Sequence, residues 1–150
     1  MKTSKLDIKK PSSDLGHVKI AVVSTNWHAE IIKPMLEECL TVLKEHDLEE
    51  KSFVVPGAYE LPFIAQALCK NYDAIILLGC IIKGETPHFE IISQSISDKV
   101  LETSLDKNTP IIFGVLTTNN ESEAKERAAY KGSEFAMSAI SILDTLNKLK

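Results

Sequence analysis

The chain has 150 residues, with 17 Lys plus Arg against 21 Asp plus Glu, a formal net charge of −4 and 44% apolar residues. That length suits one domain burying about two thirds of the surface its unfolded chain exposes, and the interspersed charge argues against a nucleic-acid partner. No apolar stretch approaches the ~20 residues of a membrane span, and three scattered cysteines, Cys39, Cys69 and Cys80, read as reduced thiols rather than disulfide or metal staples.

Met1 to Asp14 is polar and lacks the apolar core of a secretion signal, so it reads as a flexible, solvated tail, Lys9-Lys10 included, on a cytoplasmic protein; residues 15–150 form a single domain. Val18 to Ser24 is a β-branched run of strand length, followed by Thr25-Asn26-Trp27-His28. Ile31, Ile32, Met35, Leu36, Cys39, Leu40 and Leu43 then recur at helical spacing, a pattern that accepts Pro34 only in the first turn. A second strand, Phe53-Val54-Val55, stops at Pro56-Gly57, and Pro62 opens a helix with Ile64, Ala67 and Leu68 on its inner face. The third strand is Ala74 to Leu78 or a little beyond; its helix begins near Pro87 and places Ile92, Ile96, Val100 and Leu105 on one stripe. The fourth strand spans Pro110 to Thr117. Two helical stretches follow, a short one from Glu121 to Ala128 and a second with Ala136, Ala139, Ile140, Leu143 and Leu146 on its apolar face.

Near-continuous apolar strands alternating with amphipathic helices predict an α/β fold, a three-layer α/β/α sandwich over a four-stranded parallel sheet. With the flavodoxin-like order 2-1-3-4, a ligand crevice opens outside the carboxyl ends of strands 1 and 3, at the loops Thr25 to His28 and Gly79 to His88. The second loop carries its own chemistry. Gly79-Cys80-Ile81-Ile82-Lys83-Gly84-Glu85-Thr86-Pro87-His88-Phe89-Glu90 runs from a strand into a Thr-Pro helix start. There the free N–H groups of Glu85 and Thr86 and the positive end of the helix dipole suit an anion, with a titratable imidazole in the first turn. On its own, a histidine at such a start is more often a surface residue than a catalyst.

Several segments together resemble the 6,7-dimethyl-8-ribityllumazine synthase family. They are Asn26-Trp27, Val55-Pro56-Gly57-Ala58-Tyr59-Glu60-Leu61-Pro62, Gly79 through Glu90, Pro110 through Thr118, Glu126-Arg127-Ala128 and Lys131-Gly132, spread over roughly Lys19 to Leu146. The resemblance implies condensation of 5-amino-6-(ribitylamino)uracil with 3,4-dihydroxy-2-butanone 4-phosphate, the penultimate step of riboflavin biosynthesis, without metal or organic cofactor. It implies that Trp27 stacks on the pyrimidine, and that Ala58, Tyr59, Glu60 and the Cys80, Ile81 and Ile82 backbone hold the ring edge and ribityl chain. Glu85 and Thr86 receive the phosphate through main-chain N–H groups, and His88 transfers protons. Phe113 covers the other ring face and Arg127 binds phosphate, both from a neighbouring subunit of a homopentamer, itself a possible unit of an icosahedral shell. Two departures stand out. Only Ala129-Tyr130 separates Arg127-Ala128 from Lys131-Gly132, which favours pentamers over shells, and Glu85 occupies a position where relatives have a small residue.

Read from pattern alone, these residues have plainer roles: Trp27 a half-buried cap on the sheet, Glu60 dipole compensation ahead of a helix, Phe113 core, Arg127 a solvated helix face, Cys80 packing and Lys83 a loop charge. Three other functions fit parts of the chain. An archaeal-type riboflavin synthase would take two lumazines, which leaves the Gly84 to His88 loop without a use. A lumazine- or flavin-binding module or scaffold would have no need of His88 and Arg127. A phospho-receiver domain would need acidic residues where the first strand ends in Ser24-Thr25.

Overall fold

In the computed structural model, which describes residues 7, 8 and 10–150, four strands and four helices alternate. They are β1 (Lys19–Thr25), α1 (Ala29–Glu45), β2 (Glu49–Val55), α2 (Leu61–Leu68), β3 (Ala74–Ile82), α3 (His88–Lys107), β4 (Ile111–Thr118) and α4 (Glu121–Lys148), with one 3-10 turn, Ala58–Glu60, leading into α2. All neighbouring strands pair in parallel, as the apolar pattern predicts, and in the expected flavodoxin-like order β2-β1-β3-β4.

The period-2 alternation of side chains divides the core in two. Ile20, Val22, Ile76 and Leu78 face α1 and α4, where Ile31, Met35, Cys39, Leu43, Ala136 and Ile140 are buried. Ala21, Val23, Ile75 and Leu77 face α2 and α3, meeting Leu61, Ala65, Leu68, Ile96 and Val100. A central strand such as β3 must therefore be apolar at every position, and its residues from Ala74 to Cys80 are all buried. On β4 the layers come unusually close. A Cβ on Gly114 would sit 2.6 Å from the Leu77 carbonyl oxygen and 2.9 Å from Phe135 Cδ2, so the missing side chain is what admits Phe135 of α4.

Several sequence expectations are corrected. β2 begins at Glu49, four residues before Phe53: Glu49 to Ser52 are polar and exposed, and they are strand because they pair with Lys19 to Val22 at the sheet edge. Pro34 lies inside α1 at its sixth residue, not in the first turn. It is exposed, so water can bond the Glu30 carbonyl that its ring leaves without a donor. The inner face of α2 is Leu61, Ala65 and Leu68, with Ile64 half-buried beside them; Ala67 is exposed instead of facing the core. On α3 the stripe stops at Val100, and Leu105 is 73% exposed. The last two helical stretches are one helix, α4, unbroken through Ala129-Tyr130 and Gly132.

Of the tail, Met1 to Leu6 and Lys9 lie outside the described residues. Ser12 and Ser13 are tied to α4, where Asp144 accepts hydrogen bonds from both backbone N–H groups and from the Ser13 hydroxyl.

Candidate active site

The carboxyl ends of β1, β2 and β3 open on one side of the sheet, and hydrogen bonds past the strand ends shape the crevice there. The N–H groups of Asn26 and Trp27 donate to the carbonyls of Val55 and Pro56, both at 2.9 Å, which carries the β1–β2 pairing two residues further. The Thr25 hydroxyl donates to the Trp27 carbonyl at 2.9 Å. The Trp27 backbone is thus held on both sides, while its side chain is 71% exposed at the crevice. Across from it, the Glu60 carboxylate folds back to accept from the Gly57 N–H at 3.1 Å. This is the turn-stabilising role that Glu60's position allows, and the residue still borders the crevice.

β3 delivers Cys80, Ile81 and Ile82, and its path is fixed by the Lys83 N–H donating to the Thr118 carbonyl at 2.8 Å. The Thr86 hydroxyl accepts from the His88 N–H at 3.4 Å; Pro87, not Thr86, stands at the N-cap of α3, so the Thr-Pro pair sits one residue earlier relative to the helix than the sequence pattern predicts. Among the described residues, the N–H groups of Glu85 and Thr86 have no acceptor. A loop with two unspent donors at the start of a 20-residue helix can receive an anion. Lys83 Nζ stands 3.7 Å from Glu90 Oε1 across this loop, an exposed pair that screening keeps weak.

The result is a cavity of about 470 Å³ with a mainly apolar lining. Of the residues singled out in the sequence, Trp27, Ala58, Tyr59, Glu60, Cys80, Ile81, Ile82, Thr86 and His88 line it. Glu85, Phe113 and Arg127 do not. Glu85 is exposed in the loop, Phe113 is half-buried against the α2/α3 side of the core, and Arg127 Nη1 donates to the Thr117 carbonyl at 3.3 Å. His28, Phe89 and Ile92 also line the cavity and were not singled out. Phe89 and Ile92 read as helix residues, and only their place one and four residues after His88 could have marked them. Burial pushes the Cys80 thiol up to about 11, so it stays neutral near pH 7 and is unsuited to nucleophilic attack. All three cysteines are free thiols. Among the described residues no cluster of three His, Cys, Asp or Glu could hold a metal ion, and no helix is long and apolar enough to cross a membrane.

An aromatic face, a free helix start and an imidazole around one cavity form an arrangement that can take a flat heterocycle beside an anion. The sequence carries the same signature: residues 17–147 match the family model described as 6,7-dimethyl-8-ribityllumazine synthase. The chain belongs to the 6,7-dimethyl-8-ribityllumazine synthase family. Proteins of that name from Mycobacterium avium and Mycolicibacterium paratuberculosis are each 37% identical over 147 residues, covering 93% of this chain and 92% of theirs. The one from Mycobacteroides abscessus is 38% identical over 141 residues, covering 91% and 88%. Family membership makes this chain an enzyme of the lumazine synthase kind.

Proposed function

We propose that the protein condenses 5-amino-6-(ribitylamino)uracil with 3,4-dihydroxy-2-butanone 4-phosphate in the cytoplasm, giving 6,7-dimethyl-8-ribityllumazine, phosphate and water in the penultimate step of riboflavin biosynthesis. The observation that supports this most is the meeting of Trp27, Glu60, Thr86 and His88, from three separate segments, around one cavity at the carboxyl end of the sheet. In this reading the Trp27 indole stacks on the pyrimidine, and Ala58, Tyr59, Glu60 and the Cys80–Ile82 backbone hold the ring edge and ribityl chain. The phosphate sits on the N–H groups of Glu85 and Thr86 at the start of α3. Glu85 lies outside the cavity lining, so its carboxylate need not oppose that phosphate.

The amine of the uracil adds to the ketone and water leaves to form an imine. Removal of the proton on the adjacent carbon expels phosphate and gives an enol that becomes a ketone. The second nitrogen adds there and a second water leaves as the ring closes. His88 takes up and returns the protons these steps release, while the cavity supplies proximity. Phe113 and Arg127 complete the site from the next subunit of a pentamer. Two features favour this: neither residue lines the cavity of its own chain, and Leu101, Leu105 and Leu149 lie exposed on α3 and at the end of α4, apolar surface an interface would cover.

Incubating the protein with both substrates tests the proposal. Lumazine and inorganic phosphate should appear in equal amounts. Product formed from lumazine alone, with no butanone phosphate needed, would instead identify a riboflavin synthase.

A further inference from the structure

His28 is one of three non-glycine residues with positive φ, at φ 61° and ψ 31°, among the described residues. Its carbonyl starts α1 by accepting from the N–H groups of Ile31 and Ile32 at 3.0 and 3.1 Å, and its side chain makes no capping hydrogen bond. The turn therefore uses only the backbone of residue 28, and glycine or asparagine would adopt the left-handed conformation with less strain. What the imidazole adds is a position. In an extended continuation of β1, successive side chains would point to opposite sides. The left-handed turn instead leaves both Trp27 and His28 lining the cavity, with ring centroids 6.4 Å apart and planes at 66°, an edge-to-face pair. The indole is 71% exposed, so few other contacts restrain it.

We propose that His28 is a positioning residue: its imidazole, packed edge-to-face with the indole by the left-handed turn, fixes Trp27 in the orientation that stacks on the substrate ring. The inference rests on the reading that this cavity takes the ribitylaminouracil. His28 acts through Trp27 and handles no proton of the reaction, so its removal affects binding of the flat substrate and spares both the phosphate substrate and the chemical step.

Trp27 is the only tryptophan of the chain, so its fluorescence reports on this pair directly. His28→Asn and His28→Gly keep the turn and remove the imidazole; His28→Phe keeps a ring beside the indole. Fluorescence anisotropy of the ligand-free protein should fall in the Asn and Gly variants and recover in the Phe variant. KM for the ribitylaminouracil should rise about three- to tenfold in the first two, with kcat and KM for butanone phosphate unchanged. Wild-type anisotropy together with wild-type KM in His28→Asn would overturn the proposal, and so would a loss confined to kcat, which would make His28 a participant in the chemistry. If the anisotropy falls as expected but the wild-type protein fails to bind ribitylaminouracil, the assigned substrate is wrong while the hold of His28 on Trp27 stands.

Discussion

Gly132 of α4 lies directly against the backbone of Met35 in α1: a Cβ at position 132 would be 2.2 Å from the Met35 carbonyl oxygen and 2.9 Å from its Cα. The two longest elements of one layer cross at this point, and a backbone atom cannot move aside as a flexible side chain would. Gly132→Ala gains up to about 1 kcal/mol of helix propensity, yet overpacking of this kind costs about 1–3 kcal/mol or more. The net effect is a less stable protein, read as a lower urea midpoint; a higher midpoint would mean that α4 slides freely over α1.

Asp144 gives a pH-dependent prediction. The Ser13 hydroxyl above all, then the backbone N–H groups of Ser12 and Ser13 and the Lys148 ammonium, hold its carboxyl down to about 2, against the opposing effect of burial. A folded-state value below the ordinary 3.8 means that the stabilisation is complete above about pH 4 and is lost as the pH falls toward 2. The gap in urea midpoint between the wild type and Asp144→Ala should therefore be constant from pH 5 to 7 and narrow between pH 4 and 2. A gap that does not change over that lower range would mean that the serine contacts do not depend on the charge.

Cys80 borders the cavity with its thiol pushed up to about 11 by burial, and burial pushes Cys39 up to about 12. At pH 7.5 the thiolate fraction of either is below about one part in a thousand. Iodoacetamide should label both slowly, and Cys80→Ala should keep kcat within about twofold. Rapid labelling of Cys80 with loss of turnover would give the thiol a chemical role.

The parallel strands and the loop of the candidate site were legible because both rest on local signals: unbroken apolar runs such as Ala74 to Leu78, and the Thr-Pro-His helix start after Gly84. What escaped depends on partners distant in sequence. Glu49 to Ser52 are strand only because β1 offers them hydrogen bonds, which their own polarity does not announce. The two helical stretches are one α4, and Gly132 within it is the point of contact with Met35 of α1, a partner far away in sequence. Leu105 has helical spacing and no layer to cover it. His28 escaped because its backbone conformation, which sequence does not print, decides which way its ring points.

The proposed sharing of the site between subunits makes a prediction of its own. Arg127→Ala should raise KM for butanone phosphate by about 10- to 100-fold, since a charge-assisted contact is worth about 1.5–3 kcal/mol, and leave ribitylaminouracil binding nearly unchanged. Unfolding and reassembling Arg127→Ala together with His88→Ala should restore part of the activity, because mixed rings contain sites with both residues intact. Mixtures no more active than the sum of their parents would place Arg127 and His88 in the same chain's site.

The kcat of His88→Ala with both substrates saturating tests the account most directly. His88 stands in the first turn of α3 on the cavity wall, beside the loop assigned to phosphate. Its loss should lower kcat by about 10- to 1000-fold without abolishing turnover, because a general acid–base group contributes ~10²–10⁴-fold while proximity remains. Both KM values should stay close to wild type. A wild-type kcat in His88→Ala across the pH range would contradict the account and leave the histidine a helix-start residue.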